Sequence, residues 1–151
     1  MCSTQVFASS RAEWDSPIAE RSQIRSARRA QLLLELGRGG QALDEVARVF
    51  QTEGLDDPTV GIATLVAEKL CDGFESQYRE DEVGRLLQLA DPYVERSATL
   101  LAHRARVLAL QGDPSGAKRD LRAARKLAPS LEIYERVERA MKPSRSSWWR
   151  W

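Results

Sequence analysis

The chain has 151 residues, 30% of them charged, with a net charge of +1 and a mean hydropathy of −0.45, which suits one soluble domain or a short array that behaves as one. No apolar run approaches the roughly 20 residues needed to span a bilayer, and MCSTQVFASSRAEWD lacks the basic start and apolar stretch of a secretory signal. Two cysteines, Cys2 and Cys71, with no CxxC between them, argue against a disulfide framework and for a reducing cytoplasm.

In chain order the signals are helical nearly throughout. Residues 1–15 are expected to be a disordered arm. Ser16 reads as an N-cap with Pro17 at the first helical position. A helix over 17–36 comes next, ended by Gly37-Arg38-Gly39-Gly40, and 41–51 is a second, with Ala42, Val46 and Val49 on one stripe. Gly54 and Pro58 bound a break. Residues 60–71 form a third helix, closed at Asp72-Gly73, and a looser link, 74–80, leads into 81–90. Asp91-Pro92 breaks the chain again. Helices over 94–111, 115–128 and 130–141 complete it, and no period-2 run with hairpin turns suggests a strand. The sequence therefore predicts an all-α domain over 16–142 and a Trp/Arg-rich tail over 143–151.

Internal repetition organises these helices. Sliding residues 28–49 by 75 positions onto 103–124 matches Arg29 with Arg104, Ala30 with Ala105, Leu33 with Leu108 and Gly37 with Gly112. The same slide matches Ala42 with Ala117, Val46 with Leu121 and Val49 with Ala124. Ala67 lies 37 residues after Ala30, so a third copy is expected between the two. In the last copy, from Ala98 to Pro129, large residues fall at Leu101, Leu108 and Leu121. Small ones fall at Ala105, Ala117 and Ala124. This pattern resembles the tetratricopeptide repeat, a helix–turn–helix unit of about 34 residues. Arg104 departs from it, standing where that family usually has Leu. The first unit, 23–56, departs at Ser26, Arg29 and Gly54, and the middle unit, about 60–95, at Arg79 and Pro92.

The resemblance implies three helical hairpins, a capping helix over 130–142 and a concave groove lined by the first helix of each hairpin. Groove positions would be Ala27, Gln31, Leu34 and Glu35; then Thr64, Glu68, Cys71 and Asp72; then Thr99, Ala102, His103, Arg106 and Leu110. The family's clamp for acidic chaperone tails is absent, since Ala27, Gln31, Leu65, Thr99 and His103 stand in its places. The function implied by such a groove is that of a non-enzymatic adaptor or scaffold that holds a peptide or protein segment, with Glu68 and Asp72 favouring a ligand that carries Lys or Arg.

Other chemistry finds less footing. His103 is the single histidine, with no cysteine or second histidine at ligand spacing, so neither metal nor cofactor is expected. No glycine-rich phosphate loop and no GxSxG elbow is present. Charge is unevenly spread. Residues 53–95 hold eleven acids against three bases, and residues 98–151 hold twelve bases against five acids. Lys118, Arg119, Arg122, Arg125 and Lys126 lie on the helix over 115–128. The alternative function is therefore a basic accessory protein that binds nucleic acid or a ribonucleoprotein through residues 118–150. Trp148, Trp149 and Trp151, with Arg150 among them, are expected to anchor a partner; a membrane interface and the protein's own surface are the other places they could dock.

Overall fold

The structure is a computed structural model and describes residues 21–142. The expected N-terminal arm and the tail with Trp148, Trp149, Arg150 and Trp151 lie outside the described residues. Among those described there is no strand, and the all-α class holds. The helices are α1 over 21–35, α2 Gly39–Phe50, α3 Asp57–Ser76, α4 Glu80–Leu89, α5 Asp91–Val94, α6 Ala98–Leu110, α7 Pro114–Leu127 and α8 Ile133–Met141. The chain divides into two compact units, with the boundary between Val66 and Ala67.

In the first unit, α1 turns into α2 at Gly37, whose φ of +75° is open to glycine at little cost. The Arg38 amide reaches back to the Leu33 carbonyl at 2.8 Å and the Gly37 amide to that of Leu34 at 3.0 Å. These two hydrogen bonds satisfy two of the carbonyls that a helix end leaves open. Ala27, Ala30, Ala42, Val46 and Val49 are fully buried, so the small residues picked out by the repeat do sit inside. Arg29 on α1 lies 3.8 Å from Glu45 on α2. α3 begins at Asp57 rather than at residue 60. Asp56 caps it by accepting the Thr59 amide at 2.9 Å, and Pro58 falls in the first turn, where a missing N–H costs nothing.

In the second unit, α3 does not stop at Asp72-Gly73. It runs on to Ser76 because Phe74 and Glu75 are both buried, and burial there outweighs the modest helix penalty of Gly73. The turn falls instead at Tyr78, with φ +58°. Its bonds are those seen at Gly37: Arg79 to Phe74 at 2.9 Å and Tyr78 to Glu75 at 3.1 Å. Gly112, with φ +83°, makes the third turn of this kind, through Asp113 to Leu108 at 2.9 Å and Gly112 to Ala109 at 3.2 Å.

α7 lies along α6, and α8 packs mainly against α6 and less against α7. Ala105 and Ala117 are fully buried, as are Leu100 and Ala124. Asp113 caps α7 by accepting the Gly116 amide at 3.0 Å. Arg104, the misfit in the repeat pattern, is explained by Asp120: the guanidinium grips this buried carboxylate with two bonds, of 2.7 and 3.0 Å. α6 starts at Ala98, four residues later than expected, because Pro92 opens the separate turn α5 and Ser97 caps α6 by accepting the Leu100 amide. α8 starts at Ile133 rather than 130. Ala128 is extended ahead of Pro129, and the Tyr134 hydroxyl donates to the Ala128 carbonyl, closing that turn.

Candidate functional site

Three features of the second unit bear on function: a buried ionic cluster, an open recess between α4 and α6, and a basic face on α7.

The cluster centres on His103, which is fully buried on α6. Its Nδ1 lies 2.5 Å from Glu75 Oε1 on α3. Its Nε2 lies 3.3 Å from Asp72 Oδ1, close enough for attraction but too misaligned for a hydrogen bond. Arg136 on α8 donates to Glu75 Oε2 at 3.1 Å and to Asp72 Oδ1 at 3.2 Å. Arg106 grips Glu80 with bonds of 2.7 and 2.8 Å and also lies 3.6 Å from Glu75.

Burial alone would push the imidazole of His103 toward neutrality. Asp72 and Glu75 together overcome that and hold its pKa above the usual 6.5. Reciprocally, His103 and then Arg136 hold the Asp72 carboxyl below its usual range against partial burial. With His103 protonated, three acids (Asp72, Glu75, Glu80) face three bases (His103, Arg106, Arg136), and the cluster is neutral. Cys71 is buried beside it. Burial first, and then the charges of Glu75, Asp72 and Glu68, push its thiol well above the ordinary range, so it is no nucleophile.

By distance, Asp72, Glu75 and His103 would suit a cation, with ligand atoms within 4.8 Å of one another. One oxygen of each carboxylate, Asp72 Oδ1 and Glu75 Oε2, is already bonded to Arg136, Glu75 Oε1 faces His103, and Arg106 adds a further positive charge beside Glu75. The set fits a shared proton better than a metal ion.

The recess has a volume of about 370 Å³. Glu80, Asp81, Gly84, Arg85 and Gln88 of α4 line it together with Val107 and Leu110 of α6 and Gln111 just after that helix. Leu110 is 53% exposed there, a large apolar side chain left to solvent.

The residues expected to line the groove therefore separate. Leu110 reaches an open surface. His103 is sealed from any partner, which corrects its reading as a groove residue: α8 packs over α6 and brings Arg136 to the same carboxylates. Ala102 and Cys71 are likewise fully buried. Asp72 is engaged by Arg136, Arg106 by Glu80, and Glu68 accepts the Ser97 hydroxyl at 2.6 Å. The acids expected to attract a basic ligand are thus held by the protein's own groups. Thr99 is half-buried. In the first unit, Gln31, Leu34 and Thr64 are half-buried, Glu35 is exposed and Ala27 is fully buried.

Neither Glu75 nor Arg136 is among the residues the sequence singles out, and Glu80 reads there as part of a solvated helix start. For Glu75 the signal is present: Glu68, Asp72 and Glu75 are spaced four and three residues apart, the interval of one helix face, provided α3 continues through Gly73.

No protein-family model, no curated protein and no solved structure matches this chain.

Proposed function

We propose that the protein is a non-enzymatic interaction adaptor of the cytoplasm, built from tetratricopeptide-like hairpins, and that it holds a segment of a partner protein in the recess between α4 and α6. The observation that carries this reading is Leu110, a large apolar side chain exposed on the wall of a recess big enough for one or two side chains. Val107 extends the apolar wall, Gln88 and Gln111 offer polar edges for a backbone, and exposed Asp81 favours a basic neighbour. The partner segment is expected to carry an apolar side chain next to Lys or Arg.

Panning a random peptide library against the full chain tests this. Enriched peptides should share that pattern and lose binding to Leu110→Glu. Enriched peptides indifferent to Leu110→Glu would place the binding surface elsewhere.

A further inference from the structure

The outer face of α7 is charged beyond what the fold requires. Lys118, Arg119, Arg122, Arg125 and Lys126 are all exposed, and their spacing of three and four residues sets them in adjoining rows. Arg125 is paired with Glu138. Arg119 lies 3.6 Å from Asp120, whose carboxylate is already gripped by Arg104. Among the described residues, Lys118, Arg122 and Lys126 have no acidic partner.

Lys118 with Arg122, and Arg122 with Lys126, are like charges four apart, which destabilise a helix by a few tenths of a kcal/mol each. The macrodipole compensates only for cations in the last turn, Arg125 and Lys126. Nothing within the helix offsets Lys118 and Arg122.

Beside this row lies a recess of about 420 Å³. Ala123 and Leu127 give it apolar walls over buried Leu101, Arg119, Arg122 and Lys126 stand around it, and Glu95, which also lines it, is engaged by Arg104 at 3.1 Å. Leu127 is 54% exposed. A phosphate backbone would use the cations and leave Leu127 wet. A peptide with carboxylates around one large apolar side chain would use both.

We propose that this furrow binds an acidic peptide segment, its apolar side chain against Ala123 and Leu127 and its carboxylates on Arg119, Arg122 and Lys126. The furrow shares no lining residue with the recess at Leu110, so the two readings stand or fall separately.

Fluorescence anisotropy with the full chain tests it. The probe is a labelled synthetic peptide of Asp and Glu residues flanking a single Phe. The peptide should bind, with affinity falling as salt rises. Arg122→Glu combined with Lys126→Glu should weaken it by about tenfold or more, and Leu127→Ser should weaken it at unchanged charge. Leu110→Glu should leave it unaltered. Four outcomes overturn the proposal: no effect of the charge reversals, equal binding of a peptide with Ser in place of Phe, tighter binding of an oligothymidylate than of the peptide, or binding that emerges only once residues 143–151 are removed. The third assigns the face to nucleic acid, and the fourth to the chain's own tail.

Discussion

Replacing Arg104 by leucine, the residue the repeat pattern favours there, is expected to harm this protein. Asp120 is almost wholly buried, and Arg104 supplies both of its strong hydrogen bonds. Arg104→Leu leaves a carboxylate in a dry helix interface with only Arg119, 3.6 Å away and largely solvated, to answer it. Removing one partner of a buried pair costs about 3–5 kcal/mol. The Arg104 side chain keeps 20% exposure and Arg119 gives some relief, which places this case near the lower bound, about 3 kcal/mol. For a chain of this length that corresponds to a fall in Tm of roughly 6–12 °C. Urea and thermal unfolding, followed by circular dichroism, would measure it. Arg104→Met combined with Asp120→Leu removes both charges and fills the space, and should recover stability to within about 1.5 kcal/mol of the parent. A single variant costing under about 1 kcal/mol, or a double variant no better than the single, would show that the pair does not hold α6 against α7.

Stability should also depend on pH through His103. Its folded pKa lies above the 6.5 of a free histidine, so the folded state holds the proton more tightly than the unfolded chain. This contribution is complete below about pH 6.5 and is lost as pH rises through the folded pKa; urea midpoints should fall across that range, and His103→Gln should flatten the dependence. Tyr78→Gly should raise the unfolding free energy, read from urea titration, by up to about 1 kcal/mol: it relieves a left-handed conformation at a residue 89% exposed, less the added freedom of the unfolded chain. Ala117→Leu should overpack the α6–α7 crossing and cost about 1–3 kcal/mol, and an unchanged Tm would contradict a close approach at that residue.

Gly37 and Gly112 were legible as turns because each is a glycine at the place where the chain needs a positive φ. The middle turn was not, since Tyr78 takes that conformation and Gly73, the residue that looked like a stop, is carried inside α3. That shift had a chemical consequence. Ending α3 at Asp72 put Glu75 in a linker and hid its place beside His103, so the histidine read as a groove residue rather than the centre of an ionic cluster. Arg136 was out of reach for another reason: it comes from α8, and no local pattern says which face of α6 that helix covers. Arg104 stood out as a misfit while its partner went unnoticed. Yet Asp120 lies 16 residues after Arg104, as Glu45 does after Arg29, so the slide of 75 that aligned the alanines carried the ion pair as well.

The division between the two compact units falls between Val66 and Ala67, in the middle of α3. Each unit owns ten of the helix's twenty residues. A ten-residue helix is marginal in water, because nucleation costs more than so few hydrogen bonds return. Cutting the chain at this point would leave each unit a ten-residue end of α3 to hold by packing alone, and melting one unit would remove the turns that the other half of the helix continues. The backbone itself therefore couples their unfolding. Amide protons on the two halves of α3 should show a common opening free energy once each is corrected for its intrinsic exchange rate, as one cooperative block.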